Sequence, residues 1–385
     1  MSEEFIVFGA PDISEEDIQA VVATMRSGWL GSGPKVAEFE AALANFKGVR
    51  GEQMVALNSC TAALHLSLLA AGIGPGDEVI TSPLTFCATA NAILQVDATP
   101  VLVDVDPQTL NLAPTAIEAR ITARTRALLP VHFAGRPCAM SELLAIAHRH
   151  GLSVIEDCAH AVEASYRGQP LGTLGDFGCF SFYATKNLTT VEGGMLLAKD
   201  AEKVPRIRMQ ALHGMTRDAW KRFSADGYAH YQVVEQGFKY NMMDLQAAIG
   251  LQQLKRLDAN WQRRQTIWQR YQQALAHLPL ILPQEPPAHM RHAYHLYTVQ
   301  LDDSRTAVSR DTFIQRMTAS GIGVGVHYLA LPEHPYYQQQ LGWRPEDTPS
   351  ATAIGRRIVS LPLGPGLTDG QVERVIAAVA TSFDL

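Results

Sequence analysis

Between residues 54 and 200 the chain alternates short runs of β-branched and aliphatic residues with segments of helical period, and no other feature restricts its fold as tightly. The apolar runs fall at 54–57, 78–81, 101–105, 127–131, 153–156, 178–182 and 195–198. Strands separated by helices do not pair as hairpins; they build a mainly parallel sheet with helices on both faces. This is an α/β fold, and in such a sheet ligands gather at the carboxyl ends of the strands. The chemistry is therefore to be sought in the residues that follow each run.

Two strand ends carry it. The run Phe180-Ser181-Phe182-Tyr183-Ala184-Thr185-Lys186-Asn187 closes on small polar residues and delivers a lysine to a turn, and Glu192-Gly193-Gly194 opens the next run. A lysine partly desolvated at a strand end loses its proton near neutrality and condenses with an aldehyde cofactor. Lys186 is the candidate to hold pyridoxal phosphate, the alternative being one solvated lysine among many. Ser153-Val154-Ile155-Glu156-Asp157 reads as a buried strand ending in acids, 29 positions before Lys186. Pyridoxal phosphate withdraws electrons well only while its ring nitrogen is protonated, which a carboxylate sustains. Asp157 is the candidate for that partner; its other reading is a helix N-cap before Cys158-Ala159-His160-Ala161. The pair is more specific than either residue alone.

Further candidates lie at neighbouring strand ends. Asn58-Ser59-Cys60-Thr61 leads from a strand into a helix, where free backbone N–H groups and the Ser59 and Thr61 hydroxyls suit a phosphate or serve as an ordinary cap. Phe86 is placed to stack on a cofactor ring or to fill the core, with Asn91 facing substrate or a second subunit. His160 packs near the cofactor ring or its phenolic oxygen. His132 lines the pocket or is structural. The glycine-rich loop at 28–34, with Trp29 and Gly31, contacts ligand or merely turns between two helices. His327 is a weaker substrate-contact candidate beside a structural strand role, and Arg356-Arg357 binds an anion or lies on a solvated helix face.

Glu156-Asp157-Cys158-Ala159-His160-Ala161, Phe180-Ser181-Phe182 with Lys186-Asn187, Glu192-Gly193-Gly194, and the block Gly237-Phe238-Lys239-Tyr240-Asn241-Met242-Met243-Asp244 resemble the signature blocks of the DegT/DnrJ/EryC1/StrS sugar aminotransferases. The resemblance runs from Gly28-Trp29 to Ser360-Leu361-Pro362-Leu363, and His160 with the Gly237 block is most similar to the branch that makes UDP-4-amino-4-deoxy-L-arabinose. It implies a fold-type I, pyridoxal-phosphate-dependent homodimer acting on nucleotide-linked keto sugars, with glutamate as amino donor and 2-oxoglutarate as its product. It places the cofactor phosphate at Ser59, Cys60 and Thr61, with Cys60 where the family often has glycine or alanine. It puts the 28–34 loop near the sugar nucleotide, although the family usually has threonines where this chain has Gly31 and Ser32. It brings Ser181 to the cofactor, Asn187 to the substrate, and Asn241 across a dimer interface to the neighbouring subunit's phosphate, with Lys239 close by. A sugar dehydratase of the same fold resembles this family but carries histidine at the lysine position; Lys186 argues against it. A lyase acting on amino acids and a non-catalytic sensor are the other readings, and neither a placed carboxylate-binding arginine nor an appended DNA-binding helix pair supports them.

The chain's 385 residues, 47% hydrophobic and 18% charged, suffice for a large core. Residues 1–275 are expected to form a large cofactor domain with a long connecting helix, and 276–385 a small α+β domain closing the cleft. A net charge of −6 without a basic tract gives nucleic-acid and membrane-surface binding no support. Five scattered cysteines without a Cys-x-x-Cys pair suit free thiols in a reducing cytoplasm. The 13 histidines show no metal-binding helical pair, so a catalytic metal is rejected. Ser14 is placed to cap a helix through residue 27, 245–275 reads as one long helical tract, and 294–301 and 322–328 read as strands. The polar stretch 214–236, with Trp220, Tyr228 and Tyr231, reads as a long loop of functional or mobile character.

Overall fold

The structure, a computed structural model, describes residues 4–216 and 231–383. Strands β1 (Met54–Leu57), β2 (Glu78–Thr81), β3 (Thr99–Leu102), β4 (Thr125–Leu129) and β5 (Ser153–Asp157) are followed by a small hairpin, β6 (Ser165–Tyr166) and β7 (Gln169–Pro170). After it come β8 (Phe177–Ser181) and β9 (Gly194–Ala198). Seven of these form the main sheet in the order β1-β9-β8-β5-β4-β2-β3. From β8 to β3 every pairing is parallel, whereas β9 runs antiparallel to both of its neighbours. All residues of β1, β2 and β9 are buried. A sheet covered on both faces makes a strand uniformly apolar instead of alternating, which is why these runs stand out in the sequence.

Helices fill both faces. α1 (Glu15–Ser27) starts at a capping box in which Ser14 and Asp17 satisfy each other's backbone N–H. α2 (Pro34–Lys47) packs Phe39 and Leu43 with Met54, Phe180 and Phe182 on one face of the sheet. On the other face, α3 (Cys60–Ala70) and α4 (Cys87–Gln95) bring Leu64, Leu66 and Ile93 against Val55, Leu57, Ile155 and Cys179. Cys179 and Phe180 thus enter opposite cores, as the two-residue period of a strand requires.

A third core gathers Ile6, Trp268, Tyr271 and Leu275 with Tyr297, Val299, Phe313, Val359 and Val375. Its sheet is antiparallel, β10 (Leu280–Ile281), β12 (Tyr297–Leu301) and β13 (Ile358–Leu361), while β11 (Met290–Arg291) reaches back to pair with β6. Two expectations are corrected here. The tract 245–275 is two helices, Asp244–Lys255 and Leu257–Leu275, broken at Arg256, whose guanidinium turns to the Asp12 carbonyl and the Asp17 carboxylate. Residues 322–328 are not a strand; they make single bridges, Ile6 to Ile322 and Gly325 to Ser360. Gly323 there runs so close to residues 6–8 that an added Cβ would meet Phe8 N at 3.0 Å. The third strand is instead Ile358–Leu361. Of the stretch 214–236, residues 217–230, with Trp220 and Tyr228, lie outside the described residues.

Candidate active site

The carboxyl ends of β1, β5 and β8 converge. Lys186 N donates to Tyr183 O at 2.9 Å, closing a turn five residues beyond the end of β8. The lysine is half-buried, and desolvation brings its ammonium down to about 8, the Cys60 thiol and the Asp157 carboxylate pulling weakly the other way. Half of its amine is therefore free at about pH 8, where an unburied lysine is almost wholly charged. Asp157, only 4% exposed, ends β5. Its carboxylate accepts from Ala159 N at 3.1 Å and from Thr89 Oγ1 at 2.9 Å, and Thr85 Oγ1 lies 2.9 Å from Thr89 Oγ1. Burial raises its pKa above the usual carboxylate range, against the pull of those two hydrogen bonds and of Lys186. A buried acid so placed gains most from a cationic partner.

At the end of β1, Ser59 caps α3, accepting from Ala62 N at 3.1 Å. The amides of Cys60 and Thr61 have no acceptor among the described residues, so they and the helix dipole are available to an anion. Gly194 presses against this turn: a Cβ there would stand 2.3 Å from the Ser59 carbonyl carbon and 2.6 Å from Cys60 N. The Glu192-Gly193-Gly194 motif thus lets β9 approach the α3 N-terminus. Ser181, the last residue of β8, is half-buried.

Imidazoles ring the lysine. His160 Nε2 lies 3.1 Å from the Tyr328 hydroxyl, while its buried Nδ1 has no partner. His295 stands 4.4 Å from His160, centroid to centroid, and bonds Asn187 Oδ1 through Nδ1 at 2.9 Å. His327 Nδ1 meets Ser360 Oγ at 2.8 Å. Burial first, then the field of Lys186, holds all three neutral: His160 and His295 well below their usual range, His327 down to about 4. Phe86, 59% exposed just ahead of α4, has its ring 6.2 Å from that of Tyr328. Asn91 accepts from the Tyr337 hydroxyl at 2.8 Å.

The structure divides the remaining candidates. Trp29, Gly31, Lys239 and Asn241 form a second cluster at the outer edge of β1. Asn241 bridges to Leu57, donates to Ser32 Oγ at 2.8 Å and accepts from Lys239 Nζ at 2.5 Å. The Gly31 carbonyl accepts from Asp244 N at 2.8 Å, and Trp29 is 55% exposed. Asn187 meets the expectation of a substrate contact with a saturated amide: Nδ2 donates to Glu163 Oε2 and Ala293 O, both at 3.0 Å, and Oδ1 faces His295. His132 is structural, its Nδ1 accepting from Cys138 N and its Nε2 facing Glu156. Although His132, Glu156 and Cys158 place ligand atoms within 4.8 Å of one another, both ring nitrogens are spent. Arg356 and Arg357 pair with Glu333 and Gln300. Thr89, His295 and Tyr328 went unread as site residues; a Thr four residues after Thr85 on a helix opening at a strand end was the one available signal.

These residues fit pyridoxal phosphate on three counts: a desolvated amine, a buried carboxylate with room for a cation, and free amides at a helix N-terminus. The orphaned His160 Nδ1 is a fourth, since a buried polar atom of a finished site has a partner. Fold and site together define a fold-type I pyridoxal phosphate enzyme. Residues 11–380 match the DegT/DnrJ/EryC1/StrS aminotransferase family, and the chain belongs to it. The spore coat polysaccharide biosynthesis protein SpsC of Bacillus subtilis (strain 168) is 49% identical over 376 residues, 97% of this chain and 96% of that protein. Spr1654 from Streptococcus pneumoniae, in its PLP-form, superposes with a TM-score of 0.91 at 33% identity, covering 99% of each chain. The sugar aminotransferase CalS13 from Micromonospora echinospora gives 0.86 at 32%, covering 98% of this chain and 99% of that one. The expected fold, aminotransferase class and cofactor are borne out. Among the described residues no helix is long and apolar enough to cross a membrane.

Proposed function

We propose that this enzyme moves an amino group from L-glutamate to a nucleotide-linked 4-keto sugar, with UDP as the nucleotide, in two half-reactions at one site. The observation that carries the reading is the desolvated Lys186 amine within the field of the buried Asp157 carboxylate. The naming of SpsC for polysaccharide biosynthesis and of CalS13 as a sugar aminotransferase supports a sugar acceptor.

When bound, pyridoxal phosphate supplies the electron sink that makes the carbon next to the amine acidic. Lys186 would hold it through its amine and, when free, would move the proton at the carbon made acidic. Asp157, oriented by Thr89 and the Ala159 amide, keeps the ring nitrogen protonated. The Cys60 and Thr61 amides and the Ser59 and Thr61 hydroxyls would receive the phosphate, with Ser181 at the end of β8 as a further contact. His160, through its unpartnered Nδ1, would hold the phenolic oxygen, and the exposed Phe86 would stack on the ring. Trp29, Gly31 and His327 are the sugar-nucleotide contacts. Lys239 and Asn241, paired with Asn58 and Leu57 at the end of β1, would serve the neighbouring subunit's phosphate in a cytoplasmic homodimer. We place the domain boundary near residue 275.

Absorption spectra with pyridoxal phosphate test this. The wild type should develop a visible band that L-glutamate bleaches and a UDP-linked keto sugar restores; Lys186→Ala should show no such band. A band of equal strength in Lys186→Ala removes the central residue. Bleaching by glutamate without restoration by UDP- or dTDP-linked keto sugars removes the acceptor.

A further inference from the structure

We infer that His295, locked in one tautomer by Asn187, is an uncharged acceptor for a hydroxyl group of the sugar. The inference rests on the sugar reading above. Asn187 sends both amide hydrogens to groups that only accept, the Glu163 carboxylate and the Ala293 carbonyl. Glu163 is itself fixed by a buried ion pair with Arg264. The amide oxygen is therefore the atom that faces His295 Nδ1 at 2.9 Å, and an oxygen there requires the proton on Nδ1. Nε2 is left with a bare lone pair. It has no partner among the described residues and is not wholly shut off from solvent, in a residue 7% exposed.

The backbone that carries the ring is pinned on both sides. Ala293 N donates to Gly135 O at 2.9 Å and His295 N to Ala134 O at 3.1 Å. Gly135, at φ +93°, lies so close that a Cβ would stand 2.8 Å from Ala293 Cβ and from His160 O. The imidazole of His295 stands 4.4 Å from that of His160, within the field of Lys186. Its proton-free nitrogen repels a carboxylate or phosphate oxygen and welcomes an O–H. Glutamate brings carboxylates to the site; the sugar brings hydroxyls. His295 therefore separates the two half-reactions.

The test compares single-turnover rates of each half-reaction in His295→Leu and His295→Gln. The probes are L-glutamate for one half and, run in reverse, UDP-4-amino-4-deoxy-L-arabinose or UDP-linked 4-amino-4,6-dideoxyhexoses for the other. In His295→Leu the sugar half-reaction should lose roughly tenfold more than the glutamate half-reaction, chiefly through weaker sugar binding. His295→Gln, which offers a carbonyl oxygen, should recover most of that loss. Independently of activity, 15N-histidine spectra, assigned by difference from His295→Leu, should show the His295 proton on Nδ1, and Asn187→Ala should release that preference. Parallel loss in both half-reactions, no advantage of Gln over Leu, or a wild-type proton on Nε2 overturns the inference. A wild type that responds to glutamate but to none of the amino sugars refutes the sugar reading itself, and the inference falls with it.

Discussion

Among the described residues two lysines are brought down to about 8 by burial, Lys186 and Lys47, and only one of them stands in a site. Lys47, 2% exposed, ends α2 with its ammonium on the Leu171 carbonyl at 2.9 Å and 4.4 Å from the centre of the Phe180 ring. Lys186 shows no hydrogen bond from its amine among the described residues and sits at a strand end that other molecules can reach. Each faces acids of β5. Glu156, whose field acts on Lys47, lies on the core side; Asp157, whose field acts on Lys186, points the other way one residue later. Glu156 accepts from Gly172, Leu174 and Gly175 N–H groups and faces His132, so nothing of it remains for a ligand. Asp157 has two partners. A shifted pKa thus does not identify a catalytic amine; unspent hydrogen-bonding capacity with access does.

The sharpest way to break this contrast is to neutralise the two acids separately. Asp157→Asn should lower kcat roughly 10²- to 10⁴-fold while thermal stability is retained, because the ring nitrogen loses its anionic partner. Glu156→Gln should do the reverse. An amide nitrogen turned toward backbone N–H donors leaves buried groups unpaired, at about 1–3 kcal/mol of stability, while kcat of the folded enzyme holds. Steady-state kinetics beside thermal melts decide it. If Glu156→Gln loses kcat with its melting temperature unchanged, the two carboxylates do not differ as claimed.

A smaller effect sharpens the lysine side. Only the neutral amine attacks the cofactor's aldehyde, so the second-order rate of cofactor uptake into the visible band should rise about tenfold per pH unit below 8 and flatten above it. An uptake rate that climbs without a break to pH 10 would mean that Lys186 is not desolvated.

Much of this contrast was legible in the sequence. The two strand-end motifs carry Asp157 and Lys186 because strand, turn and side chain are local, and runs buried on both faces announce themselves by composition. What stayed hidden reaches the site through tertiary closure. Tyr328 meets His160 across 168 positions and His295 meets Asn187 across 108. Neither has a periodic pattern, since both come from irregular segments whose course is set by close backbone approach at Gly135 and Gly323. The misread strand at 322–328 has the same origin: an apolar run interleaved with glycines fits a strand by pattern, but the glycines are there for contact with residues 6–8. Asn187 was visible as a motif residue, while the partners that saturate its amide were not.

The least effect is expected at Lys47. With its folded-state pKa below that of the free side chain, folding disfavours the cation. That penalty, on the order of 3 kcal/mol, is fully present below about pH 8 and fades as pH rises toward 10.5. Removal of the charge in Lys47→Met therefore gains what desolvation took, less the hydrogen bond to Leu171 and the contact with Phe180. The net change at pH 7 should be within about 1 kcal/mol, because a buried charge replaced by an apolar chain of similar length is commonly neutral or stabilising. Its sign with pH is the informative part. The wild type should gain on the variant between pH 8 and 10, since the unfolded chain then binds the proton that the folded chain does not. Melting curves of both proteins across that range give the answer. A difference that stays flat with pH would place the Lys47 ammonium in contact with water, and the two lysines would then differ in burial as well as in use.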